Sequence, residues 1–234
     1  MDTNAAWAAL TTNPDQFLKY YPVKTAGSPA PNPNGVNQAQ YWLRKQVNTA
    51  NGNAKPGHMG ATKPRVIGPD ASISSFYFDT IPLHGATHVA LANVVPMVNY
   101  NSNVYGCPNL NGNVTAMNHF VLDGTGDEVM ITGELSGCCF CWLPQGANLW
   151  CTHVQPRDGI TGDALEIALS TTGRFGAAPG SSIGTFGRSY YSSRATVIGV
   201  RVAGNWRLYA QTSNDALKTI TGAWRIHPGQ MVRL

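Results

Sequence analysis

The residues best suited to chemistry in this chain fall in one short stretch, Thr132 to His153, which reads TGELSGCCFCWLPQGANLWCTH. It holds Cys138, Cys139, Cys141 and Cys151, four of the five cysteines, and ends on a histidine. A thiol and an imidazole that share a proton make an activated sulfur nucleophile, the starting point for acyl transfer through a thioester. If Gln145 and Gly146 form a two-residue turn, the stretch folds back as a hairpin in which Phe140 faces Cys151 and Cys138 faces His153. Directly opposed residues in an antiparallel pair carry Cβ atoms about 4.5–5.5 Å apart on one face. A glycine bulge in the turn would instead slip the pairing by one residue.

The same alternation sends Cys139, Cys141 and Trp150 to the opposite face, leaving Cys138, Cys151 and His153 together. A structural zinc site wants four converging ligands, so no metal is expected, and no cofactor. Cys139, Cys141 and Cys151 read as small buried hydrophobes. Ser136 and Gly137 precede the nucleophile, and a glycine there lets the backbone turn and aim peptide N–H groups at a developing oxyanion. A glycine that merely starts a strand fits the same place. Among the other histidines, His84 and His88 are four apart but lie in strand-like sequence. Like His58 and His227, they read as turn or surface residues, while His119 falls in a strand. No spacing selects among Asp123, Asp158 and Asp163 as the group that orients His153.

The elements that must position this stretch are mostly strands. Asp2 to Asn4 offer caps before an Ala-rich run, and Asn13 with Pro14 is a cap followed by proline at the first helical position, so two short helices open the chain. A third helix is predicted over 37–47, with Ala39, Leu43 and Val47 on one side. From residue 66 the pattern is that of strands: 72–83, 87–100, 114–122, 128–134, 138–143, 149–154, 195–203 and 206–211, with one helix over 163–169 and a tight turn at Gly204 and Asn205. The fold class expected is α+β and mostly β, a β-sandwich-like core of mixed and antiparallel sheets with peripheral helices. One domain over 1–234 is expected, with a helical peripheral segment over 1–50 and a β-rich catalytic core over 66–234.

Composition narrows the partners. Only 12% of residues are charged, and the net charge of +4 reflects scarce acids rather than clustered bases, so neither nucleic acid nor a membrane surface is expected as a partner. The N-terminus carries no basic and apolar leader, and an odd, clustered cysteine set is no disulfide scaffold, which predicts a soluble protein with reduced thiols and no cleaved signal peptide.

The run Leu135, Ser136, Gly137, Cys138, with His153 fifteen positions on and Thr132 six positions before, resembles the active-site signature of the bacterial toxin glutamine deamidases, the family of Burkholderia lethal factor and of the catalytic domain of cytotoxic necrotizing factor. The stretch from Val197 to Thr212 is similar to a strand pair of that family. The resemblance implies a fold like that catalytic domain, Cys138 attacking a protein glutamine, His153 assisting, and Thr132 completing the site. It also implies a monomer that a bacterium exports, acting in the host cytosol on a target such as a Rho-type GTPase or a translation-initiation RNA helicase. Two other readings suit the same residues: peptide cleavage or transglutamination by the same pair, and a noncatalytic β-sandwich binding protein whose cysteines only pack.

Overall fold

The structure, a computed structural model, describes residues 2–25, 38–47, 74–79, 88–95, 97–100, 120–157, 159–170, 183–214 and 219–234. The chain opens with α1 (Thr3–Thr12) and α2 (Pro14–Tyr20). Asp2 Oδ1 accepts the Ala5 N–H at 2.8 Å and Asn13 Oδ1 accepts that of Gln16 at 3.4 Å, each satisfying a helix N–H that has no intrahelical partner. Ala6, Leu10, Phe17 and Leu18 form the buried side of this pair.

The helix predicted over 37–47 is instead strand β2 (Gln38–Val47). Its neighbours are β3 (Ser74–Asp79) and β4 (His88–Val95), both antiparallel to it. The physical reason is an ambiguity of period. Ala39, Leu43 and Val47 are four apart, which fits one side of a helix, yet four is also twice the strand repeat, and Tyr41 falls on the same odd series. Pairing along both edges decides between the two.

The remaining elements are β1 (Val23–Thr25), β5 (Met97–Asn99), β6 (Phe120–Leu122), β7 (Val129–Thr132), β8 (Cys139–Gln145), β9 (Asn148–Gln155), α3 (Gly162–Ser170), β10 (Gly184–Phe186), β11 (Arg194–Val202), β12 (Asn205–Asn214), β13 (Thr219–His227) and β14 (Val232–Arg233). They form a larger sheet in the order β1-β3-β2-β4-β7-β11-β12-β13-β14 and a smaller one in the order β10-β8-β9-β5, with β6 also on β9. The β1–β3, β4–β7 and β5–β9 pairs are parallel and the others antiparallel, so the described chain is mostly β with mixed sheets and few helices. Strands β1, β10, β13 and β14 add to the elements read from the sequence. The predicted strand over 114–122 is described only at its end, and His58, His84, His119 and Asp158 lie outside the described residues.

Side-chain alternation sorts the apolar residues into three layers. Phe140, Trp142, Leu149 and Cys151 of the smaller sheet meet Val95, Met130, Val197, Leu208 and Ala210 of the larger one in a shared core. The other side of the larger sheet, with Ile131, Ile198, Val200 and Tyr209, is covered by α1 and α2. The other side of the smaller sheet, with Cys139, Cys141, Leu143 and Val154, is covered by Leu165 and Leu169 of α3. No described helix is long and apolar enough to cross a membrane.

The β11–β12 hairpin turns one residue earlier than predicted. Val202 pairs with Asn205, so Ala203 and Gly204 are the loop, with φ of 49° and 79°. Positive φ at both positions is the two-residue geometry that matches strand twist. Asn205 Nδ2 donates to the Ala203 carbonyl at 3.1 Å, which supports the left-handed alanine.

Candidate active site

The β8–β9 hairpin forms, but its register differs from the predicted one. Gln145 pairs with Asn148, so the loop is Gly146 and Ala147, and His153 faces Phe140 rather than Cys138. Gly146 has φ 61° at the first loop position, where a type II′ turn calls for glycine; the prediction had placed it second. The pairing therefore shifts by two residues. An even shift preserves which face each side chain takes. Cys138 and Cys151 accordingly lie in the inter-sheet core and Cys139 and Cys141 behind it, as alternation predicted. Cys138 stands just before β8, outside the paired residues, so it is not directly opposite His153, and no hydrogen bond joins its sulfur to His153 Nε2.

What holds His153 is an arrangement between sheets. The chain leaves the larger sheet at Val95, paired with Thr132, and joins the smaller one at Met97, paired with His153. This brings Thr132 of β7 and His153 of β9 face to face, with Thr132 Oγ1 2.8 Å from His153 Nδ1 and 2.7 Å from the Val95 carbonyl oxygen. A carbonyl can only accept, and a hydroxyl has one proton. Thr132 therefore donates to Val95 and accepts from His153, which places the imidazole proton on Nδ1 and leaves Nε2 a bare lone pair. Nε2 is buried and has no hydrogen-bond partner among the described residues. Thr25 Oγ1 donates to the Thr132 carbonyl at 2.8 Å, fixing that strand end in turn. Of the aspartates considered from the sequence, the two that are described, Asp123 and Asp163, do not take this place. Asp123 instead accepts from Thr125 within its own turn.

Burial sets the protonation states. His153 is 0% exposed, and the loss of water around its charged form pushes its pKa down to about 4. Cys138 is 6% exposed; burial raises its thiol pKa, the Ser136 peptide N–H on the sulfur draws it partly back, and neighbouring Cys139 adds to the rise. Cys138 therefore rests as a neutral thiol and His153 as a neutral imidazole with an unprotonated Nε2.

Gly137 has φ 114°, a conformation that a side chain would strain, and this turn lifts Cys138 out of β8. Its N–H donates to the Tyr191 hydroxyl at 3.0 Å, and that hydroxyl donates to the Cys138 carbonyl at 2.5 Å. Of the two amides expected to face an oxyanion, that of Gly137 is thus already engaged, by Tyr191. Tyr191 was not legible as a site residue, because 53 positions separate it from Cys138 and no motif links them. Among the described residues, no three His, Cys, Asp or Glu side chains converge to hold a metal ion.

Two consequences can be measured. Thr132→Val keeps the shape but removes the hydrogen-bond chain that sets the imidazole tautomer, so any turnover that uses Cys138 and His153 should fall about a hundredfold. It should also cost about 1–3 kcal/mol, since Nδ1 and the Val95 carbonyl lose their partner inside the protein; rates and urea titrations of the purified variant check both. Cys141→Ser, at a 0% exposed position behind the sheet, should lower stability by about 1–3 kcal/mol by burying a hydroxyl in an apolar layer. Turnover should stay at the wild-type rate. Equal loss of both would place Cys141 in the chemistry.

Compared with models of known protein families and with curated proteins, the chain matches none.

Proposed function

We propose that the chain is a protein glutamine deamidase that uses Cys138 as nucleophile and His153 as general base and acid, with Thr132 as the orienting residue. The observation that carries this reading is the buried His153, opposite Phe140 of the core that Cys138 also lines, whose Nδ1 is tied to Thr132 while Nε2 has no partner among the described residues. A histidine placed only for packing would be expected to have both ring nitrogens satisfied, because an unpaired buried nitrogen costs about 1–3 kcal/mol. This favours catalysis over a noncatalytic binding protein.

The reaction follows from the groups present. Cys138 gives its proton to His153 Nε2 as the sulfur bonds to the side-chain carboxamide carbon of a glutamine, and the carbonyl π electrons move to oxygen. The oxyanion re-forms the carbonyl, the C–N bond breaks, and Nε2–H protonates the departing nitrogen as ammonia, leaving a thioester. Water, deprotonated by Nε2, then attacks the thioester. The thiol leaves with that proton, and the product is glutamate. Because the Gly137 amide is engaged by Tyr191, the oxyanion donor assigned is the Cys138 N–H.

The resemblance of the LSGC run adds the toxin setting, a fold like the catalytic domain of cytotoxic necrotizing factor, and action on a host protein, with a Rho-type GTPase and a translation-initiation RNA helicase as first targets to test. Peptide mapping of host-cell lysate treated with the protein should find one glutamine converted to glutamate. Cleaved peptides or amine incorporation in place of that conversion would reassign the reaction while keeping the pair. No change of any kind would overturn the enzyme reading.

A further inference from the structure

We propose that Tyr191 is a positioning residue for the nucleophile, and that Glu166 on α3 anchors the segment carrying it. The inference rests on Cys138 being the nucleophile, as proposed above.

One hydroxyl holds two peptide groups on either side of a third. Tyr191 accepts from the N–H of Gly137 and donates to the C=O of Cys138. The peptide between them, with the Cys138 N–H, is thereby fixed in orientation, and that N–H is the donor assigned to the oxyanion. A hydrogen bond from a fixed backbone donor at such a place carries a large share of catalysis because it needs no reorganisation during the reaction. Glycine takes the φ of 114° at Gly137 without strain but is equally free to take other angles, so the clamp selects this one.

Tyr191 is itself held. Its ring stacks on Phe186, with centroids 6.0 Å apart, and the Arg188 guanidinium lies 5.3 Å from its centroid. Two residues before it, Ser189 donates to Glu166 Oε2 through both its hydroxyl, at 2.6 Å, and its N–H, at 3.3 Å. Thr185 Oγ1 donates to the other carboxylate oxygen at 3.4 Å. Glu166 is only 8% exposed, and it approaches so closely that a Cβ on Gly187 would stand 2.8 Å from Oε2. A buried carboxylate therefore ties α3 to both sides of the turn after β10 and, through it, to the peptide planes around Cys138.

Tyr191→Phe removes the clamp and keeps the ring. The measurement is residue-resolved alkylation by iodoacetamide, alongside the rate of glutamine-to-glutamate conversion in host-cell lysate. Conversion should fall about a hundredfold, the loss typical of one misplaced oxyanion donor. Cys138 labelling should rise several-fold as the turn loosens, while Cys139, Cys141 and Cys151 stay protected. Ser189→Ala, with a gentler loss of the Glu166 anchor, should move both readouts in the same directions by a smaller factor, and carries the test if Tyr191→Phe does not fold. Wild-type conversion in both variants, or labelling that rises equally at all four cysteines, would overturn the proposal. If wild type converts no glutamine but Tyr191→Phe still exposes Cys138 selectively, the assigned reaction has failed and the clamp stands.

Discussion

Cys138→Ser is expected to reduce glutamine-to-glutamate conversion by about three orders of magnitude or more while leaving the protein folded. The size of the effect follows from the weak base. Burial holds His153 down to about 4 and pushes the Cys138 thiol above the ordinary 9.0, so the neutral thiol and neutral imidazole are the favoured forms. Proton transfer must accompany formation of the carbon–sulfur bond. A serine hydroxyl is far less acidic and less nucleophilic, so the same imidazole cannot activate it. Oxygen for sulfur is a small change of volume at a site that is 6% exposed, and Tyr191 holds Gly137 and Cys138 by their backbone groups alone, so the fold should survive. Ammonia release and a thermal melt of the purified variant check the two halves. Conversion that persists at the wild-type rate would remove Cys138 from the mechanism.

The second large effect is with pH. An unfolded histidine titrates near 6.5 and His153 in the folded protein near 4, so between these values the unfolded state binds more protons. Stability from this group is complete above about pH 6.5 and is lost as pH falls toward 4, by roughly 3 kcal/mol in all. Urea unfolding at pH 7 and at pH 4.5 should show a drop in the wild type that is clearly smaller in His153→Asn, whose side-chain amide can meet Thr132 from the Nδ1 position. Catalysis follows the same group. The acid limb of the rate–pH profile should fall near pH 4 rather than near 6.5, because only the neutral imidazole accepts the thiol proton. An acid limb near 6.5 would mean that His153 is solvated during turnover. An equal pH drop in wild type and His153→Asn would assign the acid sensitivity to other groups.

Much of the fold can be traced to local chemistry. Asp2 and Asn13 cap the first two helices as short polar residues before helical runs do, and the β-branched and aromatic segments become strands. The sorting of the cysteines onto two faces needs only the two-residue repeat of a strand, and it held even though the turn fell one position later than expected. Local pattern failed at 37–47 because a four-residue spacing serves both a helix and a strand, and the β3 and β4 partners that settle it are distant in sequence.

The candidate site divides in the same way. From the sequence alone come the identities of Cys138, His153 and Thr132, their shared segment, and a glycine where the backbone must turn. Only the tertiary structure decided that Thr132 and His153 meet across two sheets, that the Val95 carbonyl directs the threonine proton, and that Tyr191 grips the peptides around the cysteine. The reason is physical: spacing along a strand sets which way a side chain points, but which strand crosses opposite it depends on how two sheets bury their apolar faces together.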